Sequence, residues 1–379
     1  MADLQDDEDI PLSAGGASAH AEEGAEGKSE ELRPGASAPA PVPASEERAR
    51  ALLAEHPVAD GHSGLAWVLS RLTWYDLELG DTALQTDLPR LREGAVGAMF
   101  WSLRLPQEYE GNRAVSATLA LIDLAETVVR DHPEGLRLAH TASHTVDARA
   151  HGRIACLLGP AAAAAIDDCL GTLRALQRLG VRSLTLTGTR WAGEQGLSRF
   201  GEEVVREMNR LGVLADLSGS STATVKHTLA VSRAPVIFSR SAAHALNPHP
   251  DNVPDDLLAA LRANSGLCLV PCAAEQTGPA LRDVADHLDH VRRVAGPECV
   301  GISGMYDTES TLADGLHDTS RYPQLIAELL DRGWPDADVS LLTWGNVQRV
   351  LRDADFTAKA AQIRRAPSTA TLARLDGDG

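Results

Sequence analysis

The sequence predicts a (β/α)8 barrel, and three observations carry that expectation. Eight short, mostly apolar runs alternate with stretches whose apolar residues recur at spacings of three and four, the alternation of an α/β domain. The stretch Leu211–Ser241 shows the unit most clearly. There the runs Leu214–Gly219 and Pro235–Ser239 flank a helical Thr222–Ser232, and both runs stop at small polar residues. No glycine-rich phosphate loop follows the first run, which removes the commonest function of an open doubly wound sheet. Periodicity alone leaves such a sheet as the alternative fold.

Taken in order, residues 1–45 are rich in Ala, Gly, Ser, Pro and Glu, with ten acidic residues against Lys28 and Arg33. That composition buries too little apolar surface to offset chain entropy, so the segment is expected to be disordered. Ser45 is placed to cap a helix reaching about Glu55. Pro57–His62 is the first expected strand, and Val96–Leu103 the second, followed by helix Val115–Arg130. Arg153–Gly159 precedes helix Ala165–Leu179, and Ser183–Thr187 precedes helix Arg199–Leu211. The two strands of the Leu211–Ser241 stretch are the fifth and sixth, with helix Asp255–Ala263 after the sixth. Gly266–Pro271 with helix Pro279–Val294, and Cys299–Ser303 with helices Tyr322–Arg332 and Asp336–Leu351, complete the set. The barrel domain is therefore drawn over 46–354. The polar, basic sequence beyond it predicts a flexible tail over 355–379.

Composition narrows the partners. The formal net charge is −18 with no basic patch, which argues against nucleic acid and against anionic membrane surfaces. The start MADLQDDEDIPLS lacks a basic n-region and an apolar run, and no stretch approaches the roughly 18 apolar residues of a spanning helix. The five cysteines, Cys156, Cys169, Cys268, Cys272 and Cys299, are odd in number and mostly sit in apolar runs. They read as buried free thiols in a reducing, cytoplasmic compartment. Cys268 and Cys272 have no second pair to make a metal site, and Cys272 has no neighbouring base.

In such a barrel the site is built from the carboxyl ends of the strands. The expected rim is His62, Ser63 and Gly64; Trp101 and Ser102; Pro160 and Ala161; Gly188; Ser218 and Gly219; Ser239 and Arg240; Cys272; Gly304 and Met305. Hydrolysis needs a nucleophile with its base, metal ligands or paired carboxylates. This rim offers one imidazole, one guanidinium and small residues, so taken by itself it is chemically poor.

Several segments resemble the membrane (renal) dipeptidase family of zinc-dependent barrels. They are Leu84–Leu103 (LQTDLPRLREGAVGAMFWSL), Leu173–Thr187, Phe200–Ser218 (FGEEVVREMNRLGVLADLS), Ala234–Leu246 (APVIFSRSAAHAL), His249–Leu258, Thr319–Trp334 and Trp344–Leu351. The resemblance spans roughly 57–352 and implies a (β/α)8 barrel of the metal-dependent hydrolase type. It also implies a binuclear zinc site, held by His and carboxylate ligands, that activates water.

Residue by residue, the resemblance assigns the metal ligands to positions 62, 64, 161, 219 and 240. These hold His62, Gly64, Ala161, Gly219 and Arg240, so His62 alone carries over. The substrate-contacting His position is Gly188, the Arg that receives a dipeptide's carboxylate is Asp251, and the proton-transfer Asp is Met305. Random decay would damage the frame as readily as the rim, yet the frame segments stand. The expectation is therefore a pseudoenzyme with no zinc or other cofactor, acting as a homodimer or as the non-catalytic partner of an active dipeptidase paralogue. The alternative is a metal-free enzyme or small-molecule binder with a pocket re-made around His62, Arg240 and Asp307. An active zinc dipeptidase is the least favoured reading. His62 is then either a relic or part of that polar site, and Arg240 either replaces the lost cationic charge or forms a local salt bridge. Asp251 inverts the charge that a free C-terminus would meet.

Overall fold

The structure is a computed structural model that describes residues 44–80, 83–106 and 108–377. Its eight central strands are β1 (Val58–Ser63), β2 (Val96–Leu103), β3 (Ile154–Ala162), β4 (Ser183–Thr185), β5 (Leu214–Asp216), β6 (Ile237–Phe238), β7 (Leu267–Pro271) and β8 (Val300–Ser303). Every neighbouring pair is parallel, and β1 pairs with both β2 and β8, Asp60 lying opposite Ile302. The ring therefore closes, and the open-sheet alternative is excluded.

Strand side chains alternate between two apolar clusters. Ala98, Phe100, Leu157, Ile237 and Leu269 pack with Trp344, Val347 and Leu351 near the chain's end. Their strand neighbours Met99, Trp101, Cys156, Val270 and Ile302 pack with residues of the surrounding helices, among them Leu121, Val204, Leu258, Leu288 and Ile326. Burial on both faces is why these strands read as continuous apolar runs rather than alternating ones.

The helices Arg199–Leu211 and Thr222–Val231 fall where expected, each opened by a serine whose hydroxyl accepts a backbone N–H. The third strand runs three residues further than its apolar run suggested, to Ala162, whereas β4, β5 and β6 are shorter. A short strand, Leu136–Leu138, pairs with the first half of β3, and helix Ala142–Ala150 follows it; neither was expected. Of the segment assigned to disorder, residues 1–43 lie outside the described residues, and Ala44 and Ser45 already belong to helix Ala44–Glu55.

The boundary at 354 needs correction. The last long helix runs from Asn346 to Arg364, and a short helix, Leu372–Asp376, follows with Leu372 buried. Charge holds this segment down where apolar periodicity has faded. Arg365 pairs with Glu203, Arg174 donates to the Ser368 carbonyl at 3.0 Å, and Ser198 donates to Asp376 at 2.5 Å. Four cysteines are buried, Cys169 is exposed, and all five are free. Among the described residues no helix is long and apolar enough to cross a membrane.

Candidate functional site

Two buried carboxyls organise the carboxyl ends of the strands. Asp60 on β1 accepts hydrogen bonds from the backbone N–H groups of His62 (3.0 Å) and Gly304 (2.7 Å) and from the Tyr322 hydroxyl (2.7 Å). It thereby ties β1 to the loop after β8, and burial pushes its carboxyl up to about 6 against those hydrogen bonds. Asp216 at the end of β5 accepts from Thr185 Oγ1 (2.6 Å), from the Ser218 N–H (3.2 Å) and hydroxyl (2.9 Å), and from the Ser239 N–H (2.8 Å) and hydroxyl (2.9 Å). It joins the ends of β4, β5 and β6. Both acids lie inside apolar runs, where the sequence reading looked for core rather than for polar structure.

Beside the Asp60 clamp, His62 is 3% exposed and its Nδ1 has no hydrogen-bond partner among the described residues. Burial, then Arg240 and Arg104, hold its imidazole well below the ordinary histidine range, so it is neutral at pH 7. The β8 loop closes over β1: Met305 N–H donates to the His62 carbonyl at 3.0 Å, and Gly64 N–H donates to the Tyr306 carbonyl at 2.8 Å. A Cβ at Gly64 would lie 2.0 Å from the Asp307 carbonyl oxygen. Asp307 itself turns to Gln85, accepting from its N–H at 2.8 Å while its own N–H donates to Gln85 Oε1 at 2.7 Å. Burial pushes the Asp307 carboxyl up to about 6.

Arg240, 6% exposed after β6, pairs with Asp251 at 3.2 Å. Its backbone is fixed as well, its N–H donating to Ser218 Oγ and its carbonyl accepting from Gln276 Nε2. The pair lies against Gly219, whose backbone is left-handed at φ +72°. A Cβ there would meet Asp251 Oδ1 at 3.3 Å and Arg240 Nη2 at 4.0 Å. Ala161 is wholly buried, Gly188 opens onto free space, and burial pushes the Cys272 thiol far up, which makes it an unreactive thiol.

Besides a cavity of about 290 Å³ lined by Gly219 and Asp251, two cavities open at this mouth. One of about 380 Å³ is lined by Arg240, Thr185, Thr187, Gly188, Ala162–Ala164, Arg104, Leu105, Pro106, Tyr109 and Glu110. The other, about 330 Å³, is lined by His62, Gly64, Met305 and Asp307. The expected trio is thus divided, with His62 and Asp307 in one cavity and Arg240 in the other. Arg104 borders both cavities. It is the residue that sequence reading missed, although it is the first charged side chain past the apolar run of β2. Among the described residues, no three His, Cys, Asp or Glu side chains gather as a metal-holding group.

A closed parallel barrel whose polar residues collect at the carboxyl ends of its strands is a TIM-barrel protein with its site at that face. Within that class, the chain belongs to the membrane dipeptidase family (Peptidase family M19), whose model matches residues 46–365. It is 40% identical over 338 residues to dipeptidase 3 of Mus musculus, covering 83% of this chain and 67% of the relative. Similarity to dipeptidase verJ of Clonostachys rogersoniana is 38% over 337 residues, covering 80% and 86%. Among solved structures, the probable dipeptidase PvdM from Pseudomonas aeruginosa superposes with a TM-score of 0.76 at 20% identity, covering 83% and 99%. A Rhodobacter sphaeroides metallo peptidase liganded with a phosphinate mimic of L-Ala-D-Ala gives 0.73 at 23%, covering 79% and 99%.

Proposed function

We propose that this chain is a catalytically silent member of the dipeptidase family, a barrel that binds and associates without hydrolysing dipeptides through zinc. The observation that carries the reading is steric. At position 64, which the resemblance gives to a carboxylate ligand, the Asp307 carbonyl oxygen leaves no room even for a methyl group. Position 219 is left-handed, with the Arg240–Asp251 pair against it. Position 161 offers a methyl group, and position 240 a guanidinium that repels a divalent cation. One neutral imidazole, His62, is the sole nitrogen donor of the set, and it does not fit two zinc ions. No hydrolytic step is therefore derived through a metal.

A frame kept without that chemistry acts through association, as a homodimer or as the non-catalytic subunit beside an active relative. Five free cysteines suit a reducing compartment such as the cytoplasm. The test is elemental analysis of the purified chain before and after incubation with excess zinc, with an assay on L-alanyl-L-alanine and light scattering on the same sample. No stoichiometric zinc, no hydrolysis and a mass above the monomer are expected. Two zinc ions per chain with hydrolysis would overturn the silent reading, and a strict monomer that captures no family relative would overturn the association.

A further inference from the structure

The barrel mouth brings two guanidiniums together, and among the described residues only Arg240 is paired with a carboxylate. Arg240 and Arg104 line the same 380 Å³ cavity. Arg240 is committed to Asp251 through one nitrogen, Nη1. Arg104 is exposed at the mouth, and its guanidinium makes no hydrogen bond or ion pair with any described residue; only its backbone N–H is bonded, to Ser102 Oγ. Two like charges brought to one concavity repel unless an anion lies between them. The mutual repulsion is felt: Arg240 first, and burial second, lower the Arg104 guanidinium, against Asp251, Glu309 and Asp216, which raise it.

The rest of the cavity narrows the ligand. Leu105, Pro106, Tyr109 and Ala163 give it an apolar wall, and its volume sits at the lower end of small-molecule sites, about 300–1,000 Å³. Glu110 lines the same cavity and is exposed at its lip, so a second carboxylate on the ligand would be repelled. Across Arg104 lies the other cavity, where the buried His62 leaves Nδ1 without a partner among the described residues. An unpartnered ring nitrogen nine-tenths buried is a group that a ligand would satisfy.

We propose that the mouth is a receptor for a small monocarboxylate with an apolar body, its carboxylate bridging Arg104 and Arg240 and its body lying along Leu105, Pro106 and Tyr109. This rests on the reading that no divalent cations occupy the mouth, since cations there would exclude the guanidiniums' role. Planar guanidiniums match a carboxylate through paired charge-assisted hydrogen bonds. The arrangement is not the dipeptide site carried by the resemblance, because Asp251 stands where that carboxylate would be received and already neutralises part of Arg240.

The experiment is isothermal titration of the full chain with isovalerate and 3-phenylpropionate. Inorganic phosphate, glutarate and the neutral 3-phenylpropionamide serve as comparison probes. At least one monocarboxylate is expected to bind saturably, more tightly than every comparison probe. Arg104→Ala should weaken that binding by roughly tenfold or more, the loss of a charge-assisted contact, while Arg104→Lys recovers part of it. Because the Arg104 guanidinium has no partner among the described residues and faces Arg240, the unliganded melting midpoint of Arg104→Ala should be no lower than that of the parent, which separates lost binding from lost folding. The proposal is overturned if neither monocarboxylate binds, if binding ignores Arg104, or if phosphate, glutarate or the amide binds as well. Zinc is measured on the same sample: stoichiometric zinc means the silent reading has failed, whereas no zinc and no binding means that this inference alone has failed.

Discussion

At the scale of single residues, close contacts and backbone conformation set the shape of the rim as much as side-chain type does. Gly64 has an ordinary right-handed φ of −83°, so its need for glycine comes entirely from the Asp307 carbonyl 2.0 Å from a would-be Cβ. Gly188 is the reverse case, with a left-handed φ of +73° and nothing within 4 Å. Gly64→Ala should therefore cost about 2 kcal/mol or more, because backbone rather than a flexible side chain must move. Gly188→Ala should cost about 1 kcal/mol of backbone strain. Urea denaturation of the two variants checks the order, and a Gly64→Ala protein as stable as its parent would remove the steric argument. The rim residues themselves were legible in the sequence, since the ends of the apolar runs fix which position is which. Their consequences were not. Arg240 and Asp251 were both singled out, but their pairing depends on how the loop after β6 returns to the mouth. Arg104, unpaired among the described residues, could be recognised only once the two cavities met on it.

At the scale of elements, strands were legible where they are buried on both faces, because an unbroken apolar run such as Val96–Leu103 has only one reading in an α/β chain. The tail was misread because its anchors are charges on another element. Helix Arg199–Leu211 carries Glu203 and Glu207, and Glu207 is wholly buried between Arg174 (2.9 Å) and Arg210 (2.8 and 2.9 Å). Burial alone would raise the Glu207 carboxyl, but hydrogen bonds from Arg210 and Arg174 outweigh it and hold the group below its usual value of 4.5. A depressed carboxylate stabilises the fold above its unfolded pKa, and that contribution is lost as pH falls below it. Glu207→Gln leaves two arginines facing a neutral amide, so it should cost about 3 kcal/mol near neutral pH, as when a buried pair loses one partner. The gap between parent and variant should shrink as pH drops below 4.5. Denaturant midpoints across that range test the sign, and a gap that widens in acid would show that Glu207 does not hold the tail as a carboxylate.

At the scale of the whole molecule, the strand ends of the barrel are held by protein groups. Asp216 gathers β4, β5 and β6 through five hydrogen bonds, and Asp60 gathers β1, the loop after β8 and Tyr322. Neither clamp uses a side chain at positions 62, 64, 161, 219 or 240, so under the proposed silent reading the fold is separable from metal chemistry. That separation has a consequence for reversal. Restoring a ligand set by Gly64→Asp, Ala161→Glu, Gly219→His and Arg240→His together must displace the β8 loop from β1 and strand Asp251 without its arginine. It must also bury a carboxylate at the wholly buried position 161. Each step is destabilising, and a domain holds only about 5–15 kcal/mol in total. The fourfold variant should unfold at a markedly lower temperature than its parent and take up no stoichiometric zinc. Circular dichroism melting with elemental analysis decides it: a variant that melts with its parent and holds two zinc ions would mean that the rim had lost only its ligands and kept the shape of a metal site.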